Sequence, residues 1–123
     1  MYRIAVSREF DGRHVHLDGS GAEESGEHAH HYRLELVLSG EDLDDRGYLV
    51  DVLEIGGVLD RLTARYREGP LNGLPEFDGM NPSVENFARI ARAAFIDSIE
   101  LPPGSNIEAR VWESGFAWAS FDG

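Results

Sequence analysis

The chain has 123 residues, 41% hydrophobic and 28% charged, the balance of one soluble domain rather than a disordered tract. Eleven Arg and no Lys stand against 23 Asp and Glu, a formal net charge of −12. Such a surface repels a phosphate backbone, which speaks against nucleic-acid binding. The absence of cysteine excludes disulfides, thiolate metal sites, iron–sulfur clusters and a cysteine nucleophile within the chain.

No apolar run approaches 18 residues, so no membrane span is expected. The first ten residues lack the basic-then-apolar pattern of a secretion signal, and a cytoplasmic location is the expectation. Neither an internal repeat nor a domain-separating linker is visible, so residues 1–123 read as a single domain.

In chain order, Tyr2 to Phe10 alternates apolar and polar residues, the period of a half-buried strand. Residues 18–27 are polar and Gly-rich and read as a loop. Tyr32, Leu34, Leu36 and Leu38 fall on one face of a second strand, with Arg33 and Glu35 on the other. Gly40 to Gly47 is an acidic turn. Asp51, with Glu54 three residues on, predicts a capping box. Val52, Ile55, Leu59, Leu62 and Tyr66 then form a helical stripe. The Gly56-Gly57 pair inside it costs roughly 1 kcal/mol per Gly relative to Ala, so close packing or a bend is expected there. Residues 69–81 read as a loop. Asn81 as N-cap and Pro82 at the first helical position open a second helix. Its buried stripe is Val84, Phe87, Ala91 and Ala94, widened by Ala88, Ile90 and Phe95. Two strands, Asn106 to Glu113 and Phe116 to Phe121, close the chain around a tight Ser114-Gly115 turn. The order β-β-α-α-β-β segregates strands from helices and predicts an α+β fold with an antiparallel four-stranded sheet. Its unpaired edges favour oligomerisation.

All five histidines lie within residues 14–31: His14, His16, His28, His30 and His31. His28 and His30 are two apart at the entrance to the second strand and share a face. His14 follows the end of the first strand, which is expected to pair with the second, so three imidazoles can converge. Neutral imidazoles suit Zn²⁺, and three of them leave a fourth position open for chemistry. His16 competes with His14 for the third place, and His31 should face away. A His-rich polar loop that binds metal loosely without function is the bland alternative.

These residues carry a resemblance. Phe10 through Leu17, with His14 at its centre, is similar to an F-x-x-x-H-x-L motif with one extra residue before the Leu. His28-Ala29-His30-His31-Tyr32 resembles H-G-H-x-Y. Gly47-Tyr48-Leu49-Val50-Asp51 resembles the opening of the family's first helix. Leu71-Asn72, Pro82-Ser83-Val84-Glu85-Asn86 and Val111-Trp112-Glu113-Ser114 resemble L-N, P-T-x-E-N and V-x-E-T. The family is that of 6-pyruvoyl- and 6-carboxy-tetrahydropterin synthases. The resemblance implies a tunnelling fold whose subunits assemble into an oligomeric barrel, commonly a hexamer. It implies zinc on His14, His28 and His30, a pterin substrate, and Glu113 as the anchor of the pterin ring. A carboxylate suits that role because a pterin presents an amino group beside a ring N–H, a bidentate pair of donors. Ser83 and Glu85 stand near the implied pocket, though both are ordinary first-turn helix residues.

The departures from the family concern its catalytic groups. Its cysteine before H-G-H is absent, and Glu23, Glu24 and Glu27 occupy that loop. Arg67 and Glu68 stand where the family has an Asp-His pair. Some relatives use Glu for Cys and cleave dihydroneopterin to 6-hydroxymethyl-dihydropterin. Glu24, four residues before His28, is the best counterpart, with Glu23 and Glu27 as alternatives. The resemblance thus implies a zinc-dependent lyase acting on the side chain of dihydroneopterin or its triphosphate. A member that binds metal and pterin without turnover is the alternative. A triphosphate would need a local positive patch, for which Arg8, Arg13 and Arg33 are the candidates.

Overall fold

The computed structural model describes residues 1–14 and 28–123, with His28 described in its backbone alone. Strand β1 (Tyr2–His14) and strand β2 (His28–Gly40) are followed by helix α1 (Val52–Arg67) and two short 3-10 turns, Leu71–Gly73 and Pro75–Phe77. Helix α2 (Val84–Ser98), strand β3 (Asn106–Glu113) and strand β4 (Ala117–Phe121) complete the order. The four strands form one antiparallel sheet in the order β1-β2-β3-β4. This is the α+β architecture expected from the sequence. No helix among the described residues is long and apolar enough to cross a membrane.

The sheet buries one face. Tyr32, Leu34, Leu36 and Leu38 of β2 are at most 1% exposed, and Ile107, Ala109 and Val111 of β3 are fully buried beside them. Each of the Leu, Ile and Val side chains among them contributes about 1.5–3 kcal/mol by leaving water. Helix α1 lies over β1, and α2 over β3 and β4. Helix α1 meets the sheet with Ile55, Leu59, Leu62 and Tyr66 of its stripe, whereas Val52, expected in that stripe, is exposed in the first turn. Helix α2 meets it with Phe87, Ala91 and Phe95, while Val84 and Ala94 are only half-buried. Phe10, Tyr32, Tyr66, Phe77 and Phe87 form an aromatic cluster where the sheet, helices and 3-10 turns meet.

Several local expectations are corrected. The cap of α2 is Ser83, not Asn81: Ser83 Oγ accepts from Asn86 N at 3.1 Å. Pro82 disfavours helical backbone at the residue before it, so Asn81 stays outside and its carbonyl accepts from the Asn86 side chain at 2.8 Å. Pro82 therefore precedes the cap rather than opening the helix. Asp51 does cap α1, but its carboxylate accepts from Leu53 N at 2.9 Å. Helix α1 runs unbroken through Gly56-Gly57. At Gly56 a Cβ would stand 2.7 Å from the Arg8 guanidinium, which crosses the helix there to reach Asp60 at 2.8 Å. Gly57 has open space around its Cβ position, and nothing in the structure explains it. Both long strands extend further than the alternation suggests. β1 continues to His14 and β2 begins at His28, so the histidine motifs sit within the paired region.

Candidate metal centre

Antiparallel pairing brings the two histidine segments together. Gly12 stands opposite His30 and His14 opposite His28 in the β1–β2 register. The rings of His14 and His30 stack with centroids 4.7 Å apart and planes 11° from parallel. His14 is only 3% exposed. Each ring is held at Nδ1 by a second group: His14 by the Tyr32 hydroxyl at 2.9 Å, His30 by Glu113 Oε1 at 2.9 Å. Pairing of β2 with β3 produces the latter contact, because Glu113 stands opposite Tyr32.

Tyr32 carries the link between this pair and the core. Its ring packs on Phe10 and Phe87, each at 5.4 Å. Burial, with the Glu113 charge adding to it, pushes the phenol above its ordinary pKa, so it stays neutral at physiological pH. Gly12 provides the room: a Cβ there would stand 2.9 Å from Tyr32 Cε2. The alternation of β2 marks Tyr32 as core but does not by itself reveal its contact with His14. The signal was available, because residues 28, 30 and 32 have the same strand parity.

The donor set fits a metal in part. With Nδ1 engaged on both rings, Nε2 is the nitrogen each would offer an ion, and a carboxylate behind a histidine is the usual outer partner of a zinc site. The third expected donor, His28, is placed opposite His14, but its side chain lies outside the described residues. So do His16, Glu23, Glu24 and Glu27. Among the described residues no group of three or more His, Cys, Asp or Glu side chains is clustered as a metal site.

Other candidates go elsewhere. His31 is on the opposite face, as parity requires, between Asp11 (2.9 Å) and Glu9 (3.2 Å), which raise its pKa. Arg8 lies on the helix face against Asp60, whereas Arg33 lies on the other face over the Trp112 ring at 4.1 Å. The candidate patch of Arg8, Arg13 and Arg33 is therefore split by strand parity. Ser83 is occupied as a helix cap, and Glu85, Arg67 and Glu68 are exposed. A groove of about 650 Å³ lies near Tyr2, Ile4, Leu43, Tyr48 and Leu53. Ten residues of strand separate Ile4 from His14, roughly 34 Å, so this groove is not part of the histidine site.

A family model described as 6-pyruvoyl tetrahydropterin synthase matches residues 3–123. No curated protein is matched by sequence. Among solved structures, a Caenorhabditis elegans 6-pyruvoyl tetrahydropterin synthase is similar with a TM-score of 0.81 at 16% identity, covering 100% of this chain and 97% of that one. A Plasmodium vivax 6-pyruvoyl tetrahydropterin synthase is similar with a TM-score of 0.80 at 15% identity, covering 99% and 97%. A variant of the Plasmodium vivax enzyme, in which a catalytic glutamate is replaced by cysteine, gives 0.79 at 17% identity over the same shares. At these identities the likeness speaks for the fold.

Proposed function

The chain belongs to the 6-pyruvoyl tetrahydropterin synthase family, and on that premise we propose that it is a zinc-dependent lyase acting on the side chain of dihydroneopterin or its triphosphate. The observation that carries this reading is the stacked pair His14 and His30, each with Nδ1 engaged, beside the Glu113 carboxylate. His14, His28 and His30 would hold the ion. Zinc bound there supplies Lewis-acid polarisation of the substrate's side-chain hydroxyls.

Glu113 accepts the amino group and ring N–H of the pterin and so orients the side chain toward the histidines. Its Oε1 also faces His30 Nδ1; a carboxylate oxygen has two acceptor positions, so both contacts are compatible. Glu24 moves protons to and from the side chain, with Glu23 and Glu27 as alternatives. The catalytic glutamate named for the Plasmodium vivax enzyme supports a glutamate in that role. The separation of Arg8 from Arg33 favours the unphosphorylated substrate and its cleavage to 6-hydroxymethyl-dihydropterin.

Assembly into a hexameric barrel is part of the same proposal. Its support is that β1 and β4 are edge strands, with Tyr2 exposed on one and Trp118 and Phe121 on the other.

A second reading, binding of metal and pterin without turnover, is favoured by the exposed Arg67 and Glu68 at the family's Asp-His positions. Supplying zinc-loaded protein with dihydroneopterin and with its triphosphate separates the two. Product formation that Glu24→Ala abolishes while pterin still binds supports the lyase. Tight pterin binding without product supports the second reading. In either case Glu113→Ala should collapse pterin affinity; unaltered affinity would remove the anchor role.

A further inference from the structure

Tyr32 is 1% exposed, and a hydroxyl that deep costs free energy unless it is hydrogen-bonded. It meets His14 Nδ1 at 2.9 Å. The ring that carries it has little freedom: Phe10 and Phe87 hold it, and Gly12 across the strand pair leaves just the space it fills. An imidazole that gives Nε2 to a metal keeps its proton on Nδ1. The Tyr32 oxygen is placed to accept the hydrogen bond from that N–H. Glu113 stands in the corresponding position for His30. The two imidazoles thus have different outer partners, a carboxylate at the β3 side and a phenol rooted in the aromatic core.

We propose that Tyr32 is a positioning residue for a metal held by His14: its hydroxyl fixes the ring orientation and the Nδ1–H tautomer, so that Nε2 is aimed before the ion arrives. The proposal rests on the metal-dependent reading above. Removing an outer hydrogen-bond partner of a metal ligand typically costs about 10- to 100-fold in metal affinity. Tyr32→Phe deletes the hydroxyl and keeps the ring against Phe10 and Phe87.

The test is zinc affinity, measured by competition with a chromophoric chelator, for the unaltered chain, Tyr32→Phe and Tyr66→Phe. The Co²⁺-loaded proteins add the visible d–d absorption as a report on ligand geometry. Tyr66 is the control: its hydroxyl is equally deep in the aromatic cluster but has no hydrogen-bond partner among the described residues. Tyr32→Phe should bind zinc about 10- to 100-fold more weakly and shift the cobalt spectrum, while Tyr66→Phe matches the unaltered chain. Gly12→Ala, which displaces the hydroxyl without deleting it, should weaken zinc binding in the same direction. Unchanged affinity in both Tyr32→Phe and Gly12→Ala overturns the proposal. So does an equal loss in Tyr32→Phe and Tyr66→Phe, which would mark a general effect on the core. An unaltered chain that takes up no zinc overturns the metal-dependent reading itself, a result visible before any variant is compared.

Discussion

Gly12→Ala tests whether the aromatic core and the histidine pair are one mechanical unit. The added Cβ would stand 2.9 Å from Tyr32 Cε2, 3.0 Å from Cδ2 and 3.2 Å from Phe10 Cε2, all inside normal carbon contact. Neither ring can retreat easily, because Tyr32 is backed by Phe87 and Phe10 touches both Tyr66 and Phe87. Overpacking of this kind costs about 1–3 kcal/mol. Against it, exchanging Gly for Ala narrows the unfolded ensemble and returns about 0.4–1 kcal/mol. The expected net loss is therefore about 1–2 kcal/mol, or roughly 4–8 °C in Tm for a domain of this size. Urea denaturation followed by tryptophan fluorescence and near-UV circular dichroism reads it directly. A variant within about 0.5 kcal/mol of the unaltered chain, with an unchanged near-UV spectrum, would show that the Tyr32 ring moves freely and refute the reasoning.

Two further outcomes follow from local contacts. Gly57→Ala meets open space in an unbroken helix and should raise stability by about 0.5–1 kcal/mol. Gly56→Ala should gain less or nothing, because it displaces the Arg8 guanidinium from its contact with Asp60; equal thermal shifts for the two variants would contradict the close-approach argument. The bidentate pair of Arg65 with Glu76, 2.7 Å in both bonds, holds the Glu76 carboxyl below its ordinary pKa of 4.5. A depressed folded-state pKa contributes stability above pH 4.5 that is lost as pH falls through the lower value. Solvent screening keeps that contribution to a fraction of a kcal/mol. Glu76→Gln should thus flatten the decline of stability below pH 4.5, and parallel curves for the two proteins would argue against the linkage.

Much of the fold is legible in the sequence because its signals are local. The alternation of Tyr32, Leu34, Leu36 and Leu38 specifies a buried sheet face, and the stripe from Ile55 to Tyr66 specifies the helix face that covers it. Parity in β2 also separates His30 from His31, as the structure shows. The buried stripe of α2 was legible in Phe87, Ala91 and Phe95, but the start of the helix was not. Asn81 and Ser83 both carry capping chemistry, and which one caps depends on the backbone bend that Pro82 imposes.

The sequence by itself determined the element order, the two buried faces and the approach of His14 to the second strand, since each follows from spacing along a single segment or a hairpin-like pairing. Only the tertiary structure decided which groups stand behind those imidazoles. Glu113 reaches His30, 83 residues earlier in the chain, because β3 docks beside β2. Tyr32 reaches His14 because Gly12 and two phenylalanines leave its ring one place to lie. The fates of Arg8 and Arg33 were settled in the same way, since their partners Asp60 and Trp112 come from α1 and β3. Partner choice of this kind is a property of packing between distant segments, and no periodicity within either segment encodes it.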